Sequence, residues 1–135
     1  MALLIVRLGL AAVFYAHSAQ QLLGWFGGNG PQATVKGWSE RYGLPVWLCW
    51  VGIFTEFIGS FSMVLGLFTQ VFAFGLTVFM AVAIWKAHWN NGFFLARKAG
   101  EGNGIEFCLM LILMALAILI GGPGPVSLDW LMGWA

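Results

Sequence analysis

Apolar positions along the chain gather into four long runs, at 3–23, 46–66, 71–89 and 105–120, separated by glycine-rich and polar stretches. A hydrocarbon core of about 30 Å takes roughly 17–25 helical residues. The first three runs are long enough, and Gly104 and Gly121 extend the fourth. Open sheet edges do not survive in lipid, and four segments are too few for a closed barrel, so the runs predict helices. The expected fold is an all-α integral membrane protein, a single domain over 1–135 built as a four-transmembrane-helix bundle. The first run also bears on a cleaved signal sequence. Arg7 interrupts it and no basic residue precedes it, which predicts a retained span instead.

The first connection, 24–45, has its own pattern. Val35, Trp38 and Tyr42 fall at spacings of three and four, which predicts a short amphipathic helix lying in the interface. Gly43 is its expected stop, and Pro45 begins the next element. The segment "GWFGGNG" lacks the strand, Lys-Ser/Thr and acidic partner of a nucleotide loop and reads as a flexible turn at the membrane surface. In the tail, Ser127 is placed to cap a short turn running to Trp134.

Composition fixes the solvent. Of 135 residues, 61% are hydrophobic and 8% charged, against about 25% charged in soluble domains. The expected surroundings are a lipid bilayer. A net charge of +1 gives no case for nucleic acid. Four spans place both termini on one side. The opposite side carries Lys36, Arg41, Arg97 and Lys98, with Lys86 nearby, so the positive-inside rule puts those loops in the cytoplasm and the termini outside a bacterial-type plasma (inner) membrane. The eight tryptophans lie near predicted span ends, as an aromatic belt requires.

Ionisable residues in lipid are costly and usually face a bundle interior. His17 lies roughly 9 Å below the loop-side surface and Glu56 about 15 Å, near the midplane. Arg7, Phe14 and Gln21 recur every seven residues with His17 three after Phe14, so they share one helical face. Gly52, Gly59 and Gly66 also recur every seven, and Glu56 sits between the first two on that close-packing stripe. Lys86, two residues from His88, is expected to point away from it and snorkel. His17, Gln20, Gln21, Glu56, His88 and Glu106 then converge on a pocket open toward the loops, with Arg7 closing it from below as a partner for Glu56. A structural reading stands beside this one: Arg7–Glu56 as a register-fixing ion pair, Glu106 as a helix-dipole acid, His88 as an interfacial residue.

No metal site is expected, because the Glu-x-x-His spacing of di-iron bundles is missing. Haem would need axial ligands at matching depth, and His17 lies roughly 7 Å deeper than His88. A quinone fits better: His and Gln supply donors to its carbonyls, a carboxylate exchanges the proton, and Phe14, Phe54, Phe57 and Trp85 are candidate slot walls. Cys49 and Cys108 lie at similar depth on different helices. Two buried free thiols is one reading; a dithiol pair, if the second and fourth spans are neighbours, is the other.

The blocks "RLGLAAVFYAHSAQQLLGWFGGNG", "GLPVWLCWVGIFTEFIGS", "LGLFTQ", "HWNNGFF", "GIEF" and "GPGPVSLDWL" together resemble the DoxX family of small four-helix membrane proteins, nearly end to end. The resemblance points to Arg7, His17, Gln20, Glu56, His88, Asn91 and Glu106. Gln21 and Gln70 stand where the family pattern carries Lys and Arg, which weakens the case for an anionic substrate. The family is named for its similarity to a membrane subunit of thiosulfate:quinone oxidoreductase. The resemblance therefore implies a quinone-linked subunit or accessory of an oxidoreductase complex, with His17, Glu56, His88 and Glu106 as catalytic candidates. Arg7, Gln20, Gln21 and Asn91 are the cofactor-binding candidates, and other membrane or redox subunits are the expected partners. A non-catalytic assembly subunit is the alternative. A solute carrier is disfavoured by the lack of broken helices and inverted repeats.

Overall fold

The structure, a computed structural model, describes residues 1–134. Among these residues every regular element is helical. The elements are α1 (Ala2–Leu22), α2 (Gly30–Tyr42), α3 (Val46–Leu65), α4 (Thr69–Ala83), α5 (Glu106–Gly121) and α6 (Leu128–Leu131). Past Ala83, α4 runs on as a π-helical turn, Ile84–His88, and a 3₁₀ turn, Trp89–Asn91. Three helices are long and apolar enough to cross a membrane: α1, α3 and the composite Thr69–Asn91. The shorter α5 is equally apolar. Helix α1 packs on α3, α3 on α4, α4 on α5 and α5 back on α1, closing a ring.

The core runs down the ring's axis through Leu10, Phe14, Met63, Leu76, Leu111 and Ile118. The outer face is apolar too: Val51, Phe54, Ile58, Phe61 and Leu65 on α3 recur at spacings of three and four and are all exposed. Such a surface requires lipid around it. Lipid supplies no hydrophobic force between helices, so close packing of small residues matters more. A Cβ at Gly59 would meet Leu76 at 3.4 Å, and one at Gly52 would meet the Phe79 ring at 2.8 Å. The glycine stripe of α3 is therefore used inside the bundle, against α4. Hydroxyls are satisfied within their own helices, Thr55 donating to Val51 O and Thr77 to Ala73 O.

Helix α2 fills the first connection. Pro31 lies in its first turn, and Gly43 ends it in a left-handed conformation, its N–H donating to Ser39 O. Val35 is buried with Cys49 and Ile53, which seats α2 over the loop-side end of α1 and α3. Ser127 Oγ accepts from Trp130 N as a helix cap, but α6 ends at Leu131. The "GWFGGNG" turn is more constrained than its composition suggests: a Cβ at Gly28 would run into the Gln20 backbone.

Candidate functional site

The candidate residues separate toward the two ends of the bundle. Arg7 is 1% exposed and lies at the end holding the N-terminus and the tail. It does not pair with Glu56, as the sequence suggested. Its Nε donates to Met63 O at 2.9 Å, Nη2 to Val64 O at 3.1 Å, and Nη1 to Pro123 O at 2.9 Å and Val126 O at 2.7 Å. Two of these carbonyls belong to the last turn of α3, which has no intrahelical donors for them. The guanidinium fork satisfies that turn and ties the tail to it, matching its positive charge to the negative end of the helix dipole. Arg7 thus closes the far end of the bundle and does not line a pocket.

Asp129 completes that end, and sequence reasoning missed it. Its two carboxylate oxygens accept from Phe68 N and Thr69 N, each at 2.8 Å, capping the start of α4. This holds Phe68 at φ +51°, a left-handed conformation that a bulky residue rarely adopts. An acidic residue sixty positions downstream of an uncapped helix start was the only signal, and spacing alone does not connect the two.

The other end holds a cavity of about 400 Å³ between the helices and beneath α2. His17 and Gln21 of α1, Glu56 and Cys49 of α3, Lys86 and His88 of the π turn, and Cys108 of α5 all line it. Glu56 is 2% exposed and lies beside the Gln21 side chain. Its Oε2 and the Oε1 of Gln21 are buried without a hydrogen-bond partner. His17 shares the cavity but is exposed, its ring 6.0 Å from that of Phe107. The shared helical face of Arg7, Phe14, Gln21 and His17 is thus buried only in part. His88 Nδ1 lies 2.9 Å from Asn103 O. A carbonyl only accepts, so Nδ1 carries the hydrogen and Nε2 of the neutral ring is left as an acceptor.

The remaining candidates lie outside the cavity. Gln20 donates to Phe26 O and steadies the glycine turn. Asn91 donates to Ala87 O and Asn103 O, and Glu106 accepts from Leu95 N. Together with Gly104, Ile105 and Glu106 N–H groups bonded to Phe94, Gly92 and Phe93 carbonyls, these contacts staple the second loop onto the start of α5. Asn91 and Glu106 therefore shape the rim through the backbone.

Lys86 borders the cavity but is exposed, and its Nζ lies 4.2 Å over the ring of the outward-facing Trp85, which carries the charge to the surface. Phe57 stacks on Tyr15 at the α1–α3 seam and meets Phe61 edge-on, Phe54 lies against Trp50, and Trp85 faces outward. Phe14 does line the cavity, as expected, and the other aromatic walls are Trp38, Tyr42, Phe79 and Phe107. Cys49 and Cys108 are both free and buried, on helices diagonal in the ring, not neighbours. No cluster of three or more His, Cys, Asp or Glu arranged for a metal occurs among the described residues.

The family model for DoxX matches residues 2–89, which contain the cavity's walls from α1, α2, α3 and α4. Two relatives from Haemophilus influenzae, each described only as an uncharacterized protein, are similar over most of the chain. One is 31% identical over 131 residues, covering 92% of this chain and 85% of the relative. The other is 27% identical over 132 residues, covering 96% and 82%. No solved structure gives a significant match.

Proposed function

The chain belongs to the DoxX family, a multi-pass membrane protein, and from that premise we propose that it is the quinone-linked membrane subunit or accessory of an oxidoreductase complex. The observation that carries this reading is Glu56: a carboxyl buried among helices, with one unpartnered oxygen, on the wall of a largely apolar cavity. A buried acceptor without a donor costs about 1–3 kcal/mol, more when charged, and is retained where a ligand completes it. The cavity's volume of about 400 Å³ falls in the ~300–1,000 Å³ range of small-molecule sites. Aromatic walls suit a flat ring, and His17, Gln21 and Glu56 stand where its oxygens would sit.

A bound quinone would supply the two-electron carrier, with electrons exchanged through a partner redox subunit. The chain's own work is with protons. Glu56 exchanges one at its carboxyl, Gln21 holds that carboxyl in place, and His17, exposed beside Phe107, hands protons between the cavity and the loop-side surface. In this reading α5, about 24 Å long, is the fourth span. The loops carrying Lys36, Arg41, Arg97 and Lys98 lie in the cytoplasm of a bacterial-type inner membrane. Pure assembly is less well supported, since the glycine stripe is consumed inside the bundle.

The test is quinone turnover in membranes that depend on this chain. Glu56→Gln and His17→Ala should each lower it by about tenfold or more, within the usual range for lost general acid–base groups. Turnover unchanged in both variants would remove the mechanism.

A further inference from the structure

The cavity does not end beneath the loops. It also reaches the outer surface of the bundle along the seam between α3 and α4. Val51 on α3 and Val78 on α4 border it there and are 52% and 46% exposed, on the face that meets lipid. Gly52 of α3 and Gly75 of α4 also line the cavity, without side chains to fill it. A path bordered by valines and glycines passes an isoprenoid or alkyl chain and offers nothing to a hydrated ion.

At the inner end of this path two buried oxygens lack a hydrogen-bond partner, Glu56 Oε2 and Gln21 Oε1. The amide oxygen only accepts, whereas a phenolic hydroxyl both donates and accepts, so a ring hydroxyl can serve both atoms with the carboxyl protonated or not. The carbonyl oxygen of an oxidised quinone cannot donate to Gln21; the hydroxyl of its reduced form can. We infer that the cavity admits lipid-soluble diphenols directly from the bilayer between α3 and α4, and seats a ring hydroxyl on the Glu56–Gln21 acceptors with the tail left in the seam. This rests on the quinone-linked reading above and adds to it the favoured redox form and the route.

The test is calorimetric binding to the purified full chain in lipid nanodiscs under argon. The probes are decyl-benzoquinol, its dimethyl ether, the matching quinone and the tail-less benzoquinol. Loss of a buried hydrogen bond corresponds to about tenfold in affinity. Decyl-benzoquinol should therefore bind about tenfold tighter than both its ether and the quinone, and Glu56→Ala should erase that preference. Val78→Trp, which adds bulk on the lipid face without touching the core, should weaken the decyl compound about tenfold. It should leave the tail-less one within about twofold. Gly75→Leu should do the same from inside the seam. Equal binding of quinol and ether overturns the hydroxyl seat, and equal binding of the decyl compound to wild type and both seam variants overturns the route. A quinone that binds tightest defeats this inference while leaving the proposed function standing; no binding by any of the four defeats both.

Discussion

Helix α1 carries a costly polar residue near each end, and the two ends treat theirs in opposite ways. At one end Arg7 is wholly buried, and all three of its nitrogens donate to carbonyls of α3 and the tail. At the other end Gln21 and Glu56 each retain a buried oxygen with no donor, beside an open volume. The bilayer penalises both arrangements equally at the start. Arg7 offsets its cost by satisfying acceptors that the end of α3 and the turning tail would otherwise leave bare. Glu56 is not compensated in that way. A chain that can saturate a buried cation this completely, yet leaves a buried carboxyl short a few turns away, has a fastened end and a working end.

The largest expected effect breaks the fastened end. Arg7→Ala removes every donor from four backbone carbonyls in one step, at a cost on the order of 3–5 kcal/mol. Thermal unfolding in detergent should show a large loss of midpoint or no folded protein. Arg7→Lys should recover less than half of that loss, because one ammonium cannot reproduce the planar fork. A lysine variant as stable as wild type would show that charge alone suffices there.

Gly66→Ala comes next. Gly66 ends α3 at φ +69°, and a Cβ there would meet Ser127 and come within 2.7 Å of Arg7 Nη2. Left-handed strain and crowding of the Arg7 network should together cost about 2–3 kcal/mol. Asp129→Ala, which uncaps Phe68 and Thr69, should cost about 1–2 kcal/mol. Asp129→Asn, keeping one acceptor, should cost about half as much. Both losses are read from the same unfolding curves, and an Asp129→Ala protein of unchanged midpoint would mean the α4 start is satisfied without it.

The sequence made the working end more legible than the fastened one, and the reason is physical. Glycine spacing on α3 marked the packed face, so Glu56 could be placed inside before any coordinates, and the heptad spacing on α1 brought Gln21 to the same side. Arg7's partners were hidden because they are backbone carbonyls, and a carbonyl has no residue type. A depth estimate made Glu56 the nearest visible counter-charge. Of the four candidate slot walls only Phe14 meets the cavity, because the face that Phe54, Phe57 and Trp85 each presents decides whether it meets ligand, lipid or α1. Asn91 and Glu106 sit close to the mouth in sequence, yet the loop's need for backbone partners claims both.

The smallest expected effect is the sharpest, because its sign separates the two ends. Glu56→Gln replaces the carboxyl with an amide of nearly the same shape that both accepts and donates. Its NH₂ can donate to Gln21 Oε1, which has no partner in the wild type. One orphaned buried acceptor disappears, and satisfying such a group is stabilising. The unfolding midpoint should therefore hold or rise, corresponding to about 0–1 kcal/mol of added stability, while the quinone turnover proposed above is lost. No comparable substitution at Arg7 should do this, because every atom there is already satisfied. A Glu56→Gln protein that unfolds as readily as Arg7→Ala would mean that Glu56 holds the bundle together as Arg7 does, and the contrast between the ends would dissolve.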